Sequence, residues 1–319
     1  MDGKTIPQTP INITPRHKSK MRQLWEKNRY AYLFLLPWLI GLCVFTVYPV
    51  FSSLQLSFTN HDLFRPPAWV GLSNYVDMFT DNKRFAKALS VTFRYVLMGV
   101  PLQLSTALVL ALMLNRGLPG LPVFRAAFYI PSLLGGSVAI SVLWRQLFGS
   151  QGLFNQVLSL MGAVDLKNAI SWVSNPSYSL YTLIILIMWQ FGSPMIIFIA
   201  GLKQIPYELY ESAQIDGATK RAQFVHITFP MLTPILFFNL VMQIVSAFQA
   251  FTPAFIVGGG RGGGPLDSIL FYSLYLYFLA FSEFRMGYAS AMAWVLLTII
   301  GIFTAILFLS SRKWVHYES

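Results

Sequence analysis

Charge is scarce in this sequence. Of 319 residues, 11% are Asp, Glu, Lys or Arg, and only 12 are acidic, against roughly a quarter charged in soluble domains. A water-soluble globule of this length needs more charge than that to cover its surface, so a soluble fold is excluded. Cysteine is nearly missing too: Cys43 stands alone and cannot close an intrachain disulfide. The four histidines, His17, His61, His226 and His316, follow no metal-ligand spacing, so no metal site is expected. The chain contains no G-x-x-x-x-G-K-[ST] and therefore no P-loop for a nucleotide. The run 258–264 matches G-x-G-x-x-G, but it follows an apolar stretch instead of a strand and lacks the Lys-Ser/Thr pair, which leaves a close-packing loop. No pair of His, Asp or Glu lies within an apolar stretch to perform acid–base chemistry, so the chain is not expected to be an enzyme.

What is abundant is apolar surface. The composition is 55% hydrophobic and 16% aromatic, with a mean hydropathy of +0.57, the signature of an integral membrane protein. Six apolar segments, 30–58, 88–114, 123–148, 179–201, 229–257 and 287–309, are each long enough to cross a hydrocarbon core of about 30 Å as a helix. The expected fold is an all-α membrane protein of six transmembrane helices. Residues 1–29 form a polar, basic tail, 30–311 the membrane domain and 312–319 a short tail. With both tails inside, 14 of the 23 Lys and Arg fall on cytoplasmic segments, which supports an N-in, C-in topology. The net charge of +11 is then a topology signal, and nucleic acid is not an expected partner. Residues 266–282 are apolar over too short a stretch to span and read as interfacial, with a re-entrant segment as the alternative. Their tyrosines, Tyr272, Tyr275 and Tyr277, suit an interfacial aromatic belt.

One loop is too long to be a connector. Residues 202–228, between the fourth and fifth segments, far exceed the 2–8 residues usual between packed helices. Pro206 suits a first helical turn, Glu208 and Glu211 its positive end, and Gly217 the left-handed residue that stops it. A second short helix is expected over 219–226, and Pro230 opens the next span. Anionic lipid headgroups repel Glu208, Glu211 and Asp216. A soluble partner does not, and the small Ser212 and Ala213 let the helix backbone approach a partner's groove.

Here the residues resemble a known family. Glu211-Ser212-Ala213, three residues, Gly217, nine residues and Ile227-Thr228-Phe229-Pro230 are similar to the EAA loop of permease subunits of binding-protein-dependent ABC importers. Ser212 stands for the middle alanine and Phe229 for a leucine. Leu33-Phe34-Leu35-Leu36-Pro37, Tyr48-Pro49, Gly71-Leu72-Ser73-Asn74-Tyr75, Val100-Pro101-Leu102-Gln103, Tyr129-Ile130-Pro131 and Gly287-Tyr288-Ala289-Ser290-Ala291 extend the resemblance to MalF-like sugar permeases along nearly the whole chain. The resemblance implies a type I ABC importer fold in a bacterial inner membrane and a path for a carbohydrate, foremost an oligosaccharide. It implies four partners: a second permease subunit making a heterodimer, two ATPase subunits that dock on this loop and themselves bind ATP and Mg, and an external solute-binding protein. No cofactor is then expected in this chain.

Polar residues inside spans are costly in lipid and mark a path. Asn239, Gln243 and Ser246 recur at i, i+4 and i+7 in the fifth segment, with Gln249 nearby. Trp189, Gln190 and Ser193 sit in the fourth, where Gly192 and Pro194 allow a break. Amides, hydroxyls and aromatic faces are what a sugar needs; hydrogen bonding between packed helices is the competing use of the same groups. Arg94 and Arg145, near span ends, are read as snorkelling to the interface, with capture of an anionic sugar as the alternative. A self-contained secondary carrier is the alternative for the whole chain. It would need acids inside the spans, yet Asp62, Asp77, Asp81, Asp165, Asp267 and Glu283 all fall between them.

Overall fold

In lipid every backbone N–H and C=O must find a partner within its own segment, which leaves helices as the outcome for apolar runs of this length. The computed structural model describes residues 20–62, 64–115, 120–260 and 262–316; residues 1–19 of the expected basic tail, Arg116 and Arg261 lie outside them. The helices are α1 (Lys20–Leu42), α2 (Tyr48–Ser57), α3 (Ser73–Thr80), α4 (Lys83–Leu114), α5 (Leu121–Leu134), α6 (Val138–Leu147), α7 (Leu153–Leu160), α8 (Ser179–Trp189), α9 (Gly192–Leu202), α10 (Tyr207–Ile215), α11 (Lys220–Gln223), α12 (Phe229–Phe248), α13 (Thr252–Val257), α14 (Tyr272–Phe281) and α15 (Met286–Trp314). No strand occurs among the described residues; a single bridge pairs Thr59 with Trp69.

The chain divides into two units, residues 1–53 and 54–319. In the first, α1 runs into α2 through a π-helical turn, Cys43–Val47, in which the Tyr48 N–H reaches back five residues to the Cys43 carbonyl. Pro49 follows. A second π-turn, Phe224–Thr228, joins α11 to α12 in the same way: the Phe229 N–H bonds the Phe224 carbonyl, and Pro230 follows. Proline lacks an N–H and its ring presses on the carbonyl four residues earlier. Here those carbonyls belong to Phe45 and His226, inside the widened turns, so each helix continues through its proline.

In the second unit α4 is the central rod. Its buried face, Phe85, Ala88, Thr92, Tyr95, Val96, Gly99, Gln103, Ala107 and Ala111, follows three- and four-residue steps and packs on α8, α9, α12 and α14. Leu97, Met98, Leu102, Val109 and Met113 point outward and remain exposed. The polar Thr92 and Gln103 turn inward with the buried apolar residues, while these large apolar side chains face outward, as suits a helix in lipid. The buried polar residues include Thr92, Gln103, Ser179, Thr182 and Asn239.

Among the described residues, five helical stretches, Tyr30–Ser57, Lys83–Leu114, Ser179–Leu202, Lys220–Val257 and Met286–Trp314, are long and apolar enough to cross a membrane. The sixth expected span, 123–148, departs from a straight rod: α5 and α6 are bent by 96° to one another. The bend falls at Gly135, Gly136 and Ser137, and Ser137 starts α6 afresh by accepting the Ile140 N–H at its side chain. The expected separate helix over 219–226 is instead continuous with α12 through the π-turn. The apolar run to 257 breaks after Phe248, and α13 begins anew with Pro253 in its first turn.

The interfacial expectation for 266–282 is corrected. Ten residues of α14 rise about 15 Å, too short to cross, but the helix is packed inside the protein between α4 and α15. Tyr272 is fully buried, its N–H donating to Thr92 Oγ1 at 2.8 Å and its hydroxyl to the Met292 carbonyl at 2.8 Å. Asn82 donates to the Tyr275 hydroxyl at 2.8 Å. For Tyr272 and Tyr275, internal partners satisfy the polar ends that a headgroup layer would otherwise serve.

Candidate coupling helix and translocation path

α10 is built by local signals. Pro206 precedes its first turn and accepts the Leu209 N–H, and Glu208 lies in that turn, near the positive end of the helix dipole. The stop is a Schellman motif: the Gly217 N–H bonds the Gln214 carbonyl at 3.0 Å and the Ala218 N–H the Ala213 carbonyl at 2.8 Å. It requires the φ of +77° at Gly217, a conformation that costs other residues about 1–2 kcal/mol. Thr219 then caps α11 by accepting the Ala222 N–H. Asp216, at the C-cap, is exposed.

No residue of α10 is fully buried. Glu208, Glu211 and Ser212 point outward with Tyr207 (68% exposed) and Ile215 (87% exposed). Tyr207, Glu211 and Ile215 are spaced by four and share one face. Ala213 is half-buried, turned away from solvent, and Ile227 packs against the core. Pro230 lies in the first turn of α12. The motif residues thus divide into an outward set, an inward set and one turn. Sequence reasoning missed Tyr207 and Ile215, although the four-residue spacing from Glu211 carried the signal. It also missed Tyr210, whose hydroxyl lies 2.8 Å from Thr228 Oγ1. His316, the last described residue, reaches the same region, its N–H donating to Thr233 Oγ1 at 3.0 Å.

The second site grows from a helix break. α8 ends at Trp189 and α9 starts at Gly192, freeing the Gln190 carbonyl. Two donors take it: Gln103 Nε2 of α4 at 2.8 Å and Ser132 Oγ of α5 at 2.9 Å. Ser132 Oγ in turn accepts the Ser193 N–H at 2.9 Å. Gly192 permits the contact, because a Cβ there would stand 2.5 Å from the Phe128 carbonyl oxygen.

Beside this break lies a cavity of about 310 Å³ lined by Gln190, Gln243, Ser246 and Gln249, together with Tyr95 and Gln103. Its lining carries no Asp, Glu, Lys, Arg or His. Four of the seven expected path residues are therefore brought together. The other three are not. Asn239 is buried deeper along α12 and donates to its own helix at the Ile235 carbonyl, 3.1 Å away. Ser193 faces Ser132 through its backbone. Trp189 lines a separate apolar groove of about 530 Å³, its ring 6.0 Å from that of Trp144. Gln103 and Tyr95 escaped the sequence reading because nothing in α4 marks which turn meets the break. Gln103 is 3% exposed and its Oε1 has no hydrogen-bond partner. Arg94 and Arg145 are both exposed, outside the cavity lining.

The chain matches the family described as binding-protein-dependent transport system inner membrane component over residues 78–316. It belongs to that family. The permease is 52% identical over 300 residues to the probable ABC transporter permease protein YesP of Bacillus subtilis (strain 168), covering 94% of this chain and 96% of that one. It is 32% identical over 301 residues to the arabinooligosaccharides transport system permease protein AraP of the same organism, covering 93% of each. Among solved structures, a chain of the bacterial alginate ABC transporter in complex with alginate pentasaccharide-bound periplasmic protein aligns with a TM-score of 0.80 at 22% identity, over 92% of this permease and 98% of that chain. The fold is that of ABC importer permeases, and the chain is a multi-pass inner-membrane protein whose family transports and does not catalyse.

Proposed function

We propose that this permease forms half of the translocation path for a carbohydrate, an oligosaccharide by preference, and that ATP is hydrolysed by separate subunits docked on α10. The observation that carries the reading is the outward face of α10: Tyr207, Glu208, Glu211, Ser212 and Ile215, projecting from a helix with no buried residue and fixed by the Gly217 turn. Apolar side chains flanked by carboxylates suit a protein groove better than water or anionic lipid. ATP and Mg belong to those ATPase subunits, two per complex. A second, different permease subunit completes the path and an external solute-binding protein delivers the sugar. Relatives named for arabinooligosaccharides and for alginate support this substrate class.

The uncharged cavity supports the same reading. Glutamine amides and a serine hydroxyl can exchange hydrogen bonds with sugar hydroxyls, while a proton- or sodium-coupled carrier needs a carboxylate there. Both termini are assigned to the cytoplasm with α10, in keeping with the return of His316 to the base of α12. The test is co-purification of the ATPase subunits with Glu211→Lys and Ile215→Glu variants in native-like lipid. Bound ATPase is expected to fall by about tenfold or more while the permease still inserts. Full retention by both variants would refute docking on α10.

A further inference from the structure

α10 is joined to the rest of the chain by two short connections and, among the described residues, by one side-chain hydrogen bond, that between Tyr210 and Thr228. Thr228 lies at the end of the π-turn, 7% exposed. A helical threonine commonly returns its hydroxyl to the carbonyl four residues earlier. In this protein Thr80, Thr92, Thr106 and Thr298 all do so, bonding Val76, Ala88, Leu102 and Trp294. Thr228 does not. The π-turn hands the Phe224 carbonyl to the Phe229 N–H, and the threonine hydroxyl is directed sideways to α10.

We propose that this hydrogen bond is the tie through which α10 moves α12, making Tyr210 and Thr228 positioning residues for coupling. The inference rests on the docking reading of α10. From Thr228 to Ser246 the helix rises about 27 Å, so a displacement at its base is delivered to the residues lining the cavity. Without the tie, α10 can swing about the turn at Gly217 and spend its motion locally. The joint itself is a π-turn, an irregularity frequently found at functional sites.

The test uses the whole complex, with partner permease and ATPase subunits, in lipid nanodiscs. Cys43→Ser removes the native thiol, and Met242→Cys places a reporter on the exposed side of α12. The probe is ATP·Mg with orthovanadate, and the readout is the change in maleimide labelling rate that it causes. With the tie intact a change of about fivefold or more is expected; Tyr210→Phe and Thr228→Val each reduce it below about twofold with ATPase stoichiometry unchanged, and Thr228→Ser restores it. Retention of the full change in both Tyr210→Phe and Thr228→Val overturns the tie while leaving docking intact. Loss of the ATPase subunits from Tyr210→Phe also overturns it, since the hydroxyl would then shape the docking surface and transmit nothing. Glu211→Lys and Ile215→Glu both keeping their ATPase and the full change overturn the docking reading, and the tie with it.

Discussion

The carbonyl of Gln190, freed where α8 stops, draws donors from α4 and α5 and so binds three spans at one atom. Each donor has a different standing. Gln103 gives its amide N–H to the carbonyl, while its Oε1 has no hydrogen-bond partner among the described residues. Ser132 serves two backbone groups at once, Gln190 and Ser193. Either Gln103→Leu or Ser132→Ala alone leaves the carbonyl one partner and is expected to cost about 1 kcal/mol or less. The double variant strips it of both and is expected to lose more than the sum, read as a shift in thermal denaturation of the purified protein. Residue types alone could nominate Gln190, Gln243, Ser246 and Gln249, because an amide or hydroxyl in a span must have a use. They could not separate these from Asn239, which has the same chemistry and lies on the same helix but closes its hydrogen bond within that helix.

At the scale of the element, local chemistry is decisive for α10. Pro206, Glu208, Gly217 and Thr219 each act on backbone groups within five residues, and the helix starts, stops and restarts as their order predicts. Gly217→Leu puts a side chain into a left-handed turn and costs about 1–2 kcal/mol locally. We expect it to reduce ATPase co-purification although its side chain is not on the outward face, with circular dichroism showing the spans intact. Where an element's shape depends on a neighbour, the sequence was a poorer guide. An unbroken apolar run over 123–148 reads as one span, yet Gly135, Gly136 and the Ser137 cap divide it at 96°. The tyrosines of α14 fit a headgroup belt by composition, and only the positions of Thr92, Asn82 and Met292 show that the polar atoms of Tyr272 and Tyr275 are answered inside the protein.

Across the second unit, an acidic and apolar knob stands at the base of α12 and an uncharged cavity lies farther along it. Filling the cavity separates transport from assembly: Ser246→Trp is expected to lower oligosaccharide uptake by about tenfold or more in vesicles, with ATPase binding unchanged. The sequence by itself determined that the chain lives in a membrane and that it is helical, and it supplied the reading of residues 202–228 on which the proposed docking rests. Those conclusions rest on composition, on runs of apolar residues and on spacings within a few turns, and such terms add along the chain without reference to its neighbours. The tertiary structure alone decided which face of α4 is interior, which four of the expected polar residues meet Gln103 and Tyr95 at one cavity, and that Tyr210 joins α10 to Thr228. Each of these pairs residues from different helices, whose rotation and depth in the bundle are set by packing, and packing is a property of the assembled chain.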